Sequence, residues 1–214
     1  MNFFIDTADL DQIKEANEMG ILDGVTTNPS LMAKVGVTGE SNIHQRYIDI
    51  CEIVDGDVSA EVISTDLDGI MEEAEKLAEL HKNIVVKVPM IEDGVKALKQ
   101  LSSKGIRTNC TLAFSPGQAL LAAKAGADYV SPFIGRVDDV SNDGLALIQE
   151  IRDIFDNYMF ETRILAASIR HPMHIVECAK IGADVVTCPL DLLNHPLTDN
   201  GLEKFLADHR KANQ

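Results

Sequence analysis

Residues 84–112 read IVVKVPMIEDGVKALKQLSSKGIRTNCTL. The run at 84–88 is β-branched and apolar apart from one lysine, 94–104 carries apolar residues at helical spacing, and 107–112 returns to a short strand pattern. Two strands joined through a helix lie parallel, because the helix carries the chain back to the edge where the first strand began. The same unit recurs along the chain. Strands are expected at 3–6, 24–27, 58–62, 84–88, 107–112, 129–133, 163–166 and 185–187, and the clearest helices at 67–81, 94–104, 116–125, 144–158 and 174–181. Eight such strands favour a closed (β/α)8 barrel, the TIM-barrel α/β fold, over an open doubly wound sheet. The open sheet usually has fewer strands and a glycine-rich first turn, whereas the first turn here reads DTADLDQI, and neither GxGxxG nor GxxxxGK[ST] occurs. An internal echo supports repetition: AKAGADYVS at 123–131 matches AKIGADVVT at 179–187, each with a glycine placed to end a helix in the left-handed region.

The 214 residues are 45% hydrophobic and 25% charged, enough for one domain spanning 1–214 with about 70% of its unfolded surface buried. A formal charge of −15 repels nucleic acid and anionic lipid over most of the surface, so neither is an expected partner and an anionic ligand must meet a local basic cluster. The opening MNFFIDTADL has no basic segment followed by a long apolar one, so the expected location is the cytoplasm. Cys51, Cys110, Cys178 and Cys188 form no CxxC pair and read as free, mostly buried thiols. His171 and His174 have helix-face spacing but no third ligand nearby, so no metal is expected; they read as helix-start histidines near a ligand mouth or in solvent. Near the end, a short helix is expected at 191–193 and an extra C-terminal helix at about 202–211. Its Leu202, Phe205, Leu206 and His209 share a face that should pack on something apolar, either the barrel of the same chain or a neighbouring subunit.

Strands buried on both faces should be continuously apolar, and these are not. Sorted by the alternation of side chains along a strand, the exceptions fall on one face: Phe4 and Asp6, Thr26 and Asn28, Ser59 and Glu61, Lys87, Asn109 and Thr111, Ser131 and Phe133, Ala166 and Ser168. That face is expected to line the barrel near its C-terminal mouth, where barrel active sites are built. Lys87 carries the sharpest signal. Burial strips an ammonium of its hydration and favours the neutral amine, a nucleophile for carbonyl carbon; the other reading is a structural ion pair with a carboxylate such as Glu61. Asp6 and Glu61 are candidates for proton transfer, with helix capping by Asp6 and pairing of Glu61 to Lys87 as the alternatives. Arg136 and Arg170 follow the sixth and seventh strands, where barrels often hold a phosphate, and Ser168 is a suitable hydroxyl partner; solvated surface arginines are the alternative.

The segments FFIDTADL, GVTTNPSL, the Glu61 of SAEV, KVP around Lys87, TNCTL, SPFIGR and AASIRH together resemble the small transaldolases of the fructose-6-phosphate aldolase/transaldolase family, and they span nearly the whole chain. The resemblance implies a (β/α)8 barrel and a Schiff-base lysine. It also implies transfer of a dihydroxyacetone unit in the non-oxidative pentose phosphate pathway, and a ring-built homodecamer whose C-terminal helix contacts a neighbour. By the same carry-over Lys87 attacks the ketone of sedoheptulose 7-phosphate or fructose 6-phosphate, Glu61 and Thr111 hold a proton-moving water, and Asp6 takes the C4 hydroxyl proton. Asn28, Asn109 and Ser131 are implied to bind the dihydroxyacetone hydroxyls, and Arg136, Ser168 and Arg170 the phosphate. An iminium supplies the electron sink, so no cofactor is expected. Fructose-6-phosphate aldolases are expected to carry Gln and Tyr where this chain has Glu61 and Phe133, which favours transaldolase over an aldolase releasing free dihydroxyacetone. A non-catalytic sugar-phosphate-binding barrel is the alternative of another class, and Lys87 on an apolar strand argues against it.

Overall fold

The computed structural model describes residues 1–213, the side chain of Leu193 excepted. These residues form β1 (Asn2–Asp6), α1 (Leu10–Glu18), β2 (Gly24–Thr26), α2 (Pro29–Lys34), α3 (Glu40–Ile53), β3 (Asp57–Glu61), α4 (Leu67–Leu80) and β4 (Ile84–Pro89). They continue with α5 (Glu92–Ser103), β5 (Thr108–Ala113), α6 (Pro116–Ala125), β6 (Tyr129–Pro132), α7 (Ile134–Asp138) and α8 (Gly144–Tyr158). β7 (Arg163–Ala166), α9 (Pro172–Ile181), β8 (Val185–Cys188), a 3-10 turn (Leu190–Leu193) and α10 (Pro196–Ala212) complete the chain. The strands are parallel and close into a barrel in chain order, with β8 returning to β1. This is the (β/α)8 fold.

Local chemistry sets the punctuation. Asp9, Asn28, Asp66, Ser115 and Asp143 each cap the helix that follows by accepting orphan backbone N–H groups. Thus α1 is capped by Asp9, which leaves the Asp6 carboxylate for the barrel. The echoed segments end alike, with Gly126 at φ 94° and Gly182 at φ 93° closing α6 and α9. A second repeated device follows: Asp23, Asp128 and Asp184, each just before a strand, accept the N–H of Phe3, Thr108 and Ile164 at the start of the preceding strand.

The main core lies between barrel and helices, where Ile5, Val25, Val86, Cys110, Val130, Ala166 and Val186 meet Ile13, Ile70, Leu98, Ile148 and Phe155. Truncating Phe155, fully buried on α8, to alanine costs about 3–5 kcal/mol. Inside the barrel, Phe4, Val85, Tyr129, Leu165 and Val185 form a separate apolar layer. Beneath it Tyr129 donates to Asp57 at 2.7 Å and accepts from Arg163 at 2.7 Å, while Arg107 pairs with Asp57. These contacts tie β3, β5, β6 and β7 together at the N-terminal end of the barrel.

Two expectations need correction. On β7 it is Leu165 that faces the barrel interior, whereas Ala166 packs outward among the helices. Ser168 reaches the mouth by turning out of register, with φ 59°. The C-terminal helix begins at Pro196 rather than about 202, proline at its first turn supplying the start. None of its side chains is buried, and Leu197 and Phe205 are 73% and 72% exposed, so the barrel of the same chain does not cover its apolar face. Among the described residues no helix is long and apolar enough to cross a membrane. All four cysteines are free and buried, and burial pushes the Cys51, Cys110 and Cys178 thiols up to about 12.

Candidate active site

The mouth encloses a cavity of about 290 Å³. Lys87 and Ser131 rise from within the barrel and Asp6 ends β1, while Asn28, Phe133, Ser168 and Arg170 come from the segments that follow their strands and Arg136 from the short helix α7. Three candidates stand one step back. Glu61 reaches the cavity through Lys87; Asn109 lies fully buried beneath Ser131; Thr111 is buried with its hydroxyl making no hydrogen bond to the described protein atoms.

Lys87 is 5% exposed. Its register partners are Glu61 on β3 and Asn109 on β5, so three polar side chains share one level of an otherwise apolar wall. Nζ donates to the Thr27 carbonyl at 3.0 Å and lies 3.0 Å from Glu61 Oε2, off the direction of a hydrogen bond. Lys87 is thus paired with Glu61 and at the same time opens on the cavity. A buried pair is costly to desolvate and weak evidence for stability by itself, so its place at the cavity floor is the informative observation. Glu61 itself lines another cavity, of about 590 Å³, between α2, α3 and α4, with Lys87 between it and the mouth.

The remaining polar groups are ordered by one another. Thr26 Oγ1 donates to Asp6 Oδ1 at 2.6 Å and shares a 2.7 Å hydrogen bond with Thr187 Oγ1, which fixes the carboxylate at the end of β1. Asn109 Nδ2 donates to Ser59 at 3.2 Å and its Oδ1 accepts from Ser131 at 2.9 Å. Asn28 spends its Oδ1 capping α2, on the Leu31 N–H at 3.0 Å, leaving its amide nitrogen for the cavity.

At the rim Arg136 lies over the Phe133 ring at 5.1 Å, and Phe133 packs against Phe114. Arg170 pairs with Asp139 at 2.8 Å. Its backbone N–H donates to His174 Nδ1, and His174 Nε2 lies 3.2 Å from Asp138. His174 is buried rather than solvated, and burial, with the charge of His171 second, lowers its pKa. Gly135 lets α7 approach this loop: its N–H donates to Ser168 O at 2.9 Å, and a Cβ there would stand 2.5 Å from Arg170 Cγ.

Sequence reasoning did not single out Thr187, Tyr47 or the Thr27 carbonyl. Thr187 was legible as the polar residue of the last strand; Tyr47, on α3, carried no signal because nothing in its spacing separates it from an ordinary core tyrosine.

A family model described as Transaldolase/Fructose-6-phosphate aldolase matches residues 3–214. Proteins named "Probable transaldolase" from Cytophaga hutchinsonii and Flavobacterium psychrophilum are each 67% identical, covering the whole of this chain and of their own length. One of the same name from Bacteroides thetaiotaomicron is 61% identical over the same span. A thiamine phosphate pyrophosphorylase from Pyrococcus furiosus aligns with a TM-score of 0.61 at 15% identity, covering 87% of this chain and 84% of its own, a likeness of fold alone. With a barrel whose mouth gathers the lysine, carboxylates and arginines, and relatives alike from end to end, this chain belongs to the transaldolase/fructose-6-phosphate aldolase family.

Proposed function

We propose that the protein is a class I transaldolase that moves a dihydroxyacetone unit from sedoheptulose 7-phosphate or fructose 6-phosphate to an aldose phosphate, in the non-oxidative pentose phosphate pathway. The observation that carries this reading is Lys87, 5% exposed at a cavity floor with a carboxylate oxygen 3.0 Å from its nitrogen. Transfer of a proton to Glu61 leaves a neutral amine, and that amine adds to the C2 ketone. The carbinolamine loses water to give the iminium, with Glu61 and Thr111 handling protons through water. Asp6, held by Thr26, takes the proton from the C4 hydroxyl. The C3–C4 bond then breaks, its electron pair flows into the iminium to give an enamine, and the aldose phosphate leaves.

The enamine attacks the acceptor aldehyde, and hydrolysis of the new iminium returns the amine. Asn28, Ser131 and, from beneath, Asn109 orient the three-carbon unit. Arg136, Arg170 and Ser168 bind the phosphate, a local cationic rim on a chain of net charge −15. The protein is read as cytoplasmic and as a homodecamer, the exposed apolar face of α10 supporting contact with a neighbouring copy.

The test is reduction with borohydride in the presence of fructose 6-phosphate. A three-carbon adduct on the peptide containing Lys87 is expected; label on another lysine, or none, defeats the mechanism. Because the family description names both activities, the second reading is an aldolase releasing free dihydroxyacetone. Product formation with and without erythrose 4-phosphate separates them, transaldolase requiring the acceptor.

A further inference from the structure

The β2–β3 ladder stops one rung short of the site. Thr26 pairs with Ser59, and the last bond of the ladder runs from the Thr27 N–H to the Ser59 carbonyl. In a parallel pair the next bond would run from the Glu61 N–H to the Thr27 carbonyl. It does not form. The chain leaves the sheet at Asn28 to start α2, and the two groups take other partners: the Glu61 N–H donates to the Tyr47 hydroxyl at 3.1 Å, and the Thr27 carbonyl accepts from Lys87 Nζ at 3.0 Å.

Tyr47 comes from α3, outside the barrel, and is 2% exposed, with its hydroxyl beside both Glu61 and Thr27. Burial raises the phenol above its ordinary value, so at neutral pH it remains a protonated hydroxyl that can accept from a backbone N–H. A tyrosine buried only for its ring area would not need its oxygen at the end of an interrupted ladder.

We propose that Tyr47 is a positioning residue for Lys87: by occupying the Glu61 N–H it holds the Thr27 carbonyl out of the ladder and turned to the lysine nitrogen, which is thereby aimed between that carbonyl and the Glu61 carboxylate. This rests on the reading of Lys87 as the attacking amine. Without the hydroxyl, either the Glu61 N–H is left buried and unpaired, or the ladder closes by a further rung and draws the Thr27 carbonyl toward β3, shifting the acceptor that Lys87 uses. Both outcomes loosen the aim of the amine while leaving the phosphate rim and the substrate-facing side chains in place.

The experiment is a single-turnover time course of borohydride trapping with fructose 6-phosphate, wild type against Tyr47→Phe. Rates are expressed per site trapped at the endpoint, so that a poorly folding variant is scored on its folded fraction alone. Tyr47→Phe is expected to trap on the same lysine, with imine formation slowed by about 10- to 100-fold. Its steady-state kcat should fall while KM stays within about twofold. Equal trapping rates per competent site in the two proteins overturn the proposal while leaving Lys87 as the amine. A rise in KM with an unchanged trapping rate overturns it as well, because that assigns Tyr47 to packing around the cavity. Failure of the wild type to trap at Lys87 overturns both this role and the reading on which it rests.

Discussion

His174 Nδ1 accepts the backbone N–H of Arg170 at 3.3 Å, so the loop that carries a rim arginine is tied to a buried imidazole that must be neutral at that nitrogen. The native pKa is lowered, first by burial and then by His171, against an unfolded value of about 6.5. Above that unfolded value both states are neutral and stability is flat. As pH falls below it the unfolded chain takes up a proton the native state resists, so stability is lost down to the native value. His174→Asn keeps an acceptor for Arg170 but cannot titrate. Urea midpoints at about pH 7.5 and about pH 5.5 should fall less for the variant than for wild type; the same fall in both would show that His174 does not titrate in this window.

Arg170 is split between an outer ion pair with Asp139, both side chains more than half exposed, and the cavity. Arg170→Ala should cost about 1.5–3 kcal/mol in kcat/KM for phosphorylated donors and little for free dihydroxyacetone as donor. Asp139→Asn should do the reverse, lowering KM for phosphorylated donors by no more than about fivefold, since an exposed pair is weak. Equal losses on phosphorylated and unphosphorylated donors would remove Arg170 from phosphate binding.

Gly135 is the contact on which the rim depends. An alanine Cβ would clash with the Ser168 carbonyl oxygen and stand 2.5 Å from Arg170 Cγ, so the loop or α7 must shift. Gly135→Ala should destabilise the fold by about 1–3 kcal/mol and raise KM for phosphorylated donors, with imine trapping at Lys87 retained. Thermal melting and donor kinetics check it; an unchanged KM would show that the rim tolerates the displacement.

Phe133 lines the cavity between Phe114 and Arg136 and offers no hydrogen-bond donor. An enamine left beside it has little help in being protonated and waits for an acceptor. Phe133→Tyr should convert part of the transfer into acceptor-independent release of dihydroxyacetone, more so combined with Glu61→Gln. Dihydroxyacetone formed from fructose 6-phosphate alone is the measurement. Unchanged release in both variants would deny Phe133 this part, and release by wild type as fast as transfer would make the protein an aldolase.

Sequence periodicity by itself determined the barrel and, β7 excepted, which strand residues face its mouth. A residue such as Lys87 inside IVVKVP has only two faces to choose between, and strand alternation assigns it with Glu61 and Asn109 to the inner one, where the register confirms them at one level. Alternation fails where the backbone departs from a strand, which is why pairing Ala166 with Ser168 puts Ala166 on the wrong face: nothing in AASIRH announces that Ser168 takes a positive φ. Tertiary structure alone decided the rest. That Asp9 rather than Asp6 caps α1, that Arg170 hangs on His174, and that Tyr47 meets the open end of the β2–β3 ladder all depend on where separate elements come to lie. A hydrogen bond between residues such as Tyr47 and Glu61 needs an ångström-scale meeting of a helix and a strand end, whereas a hydrophobic period needs only their identity and spacing. The exposed face of α10 follows the same division: its amphipathic spacing is written in the chain, but the failure of its own barrel to cover it is a fact of packing.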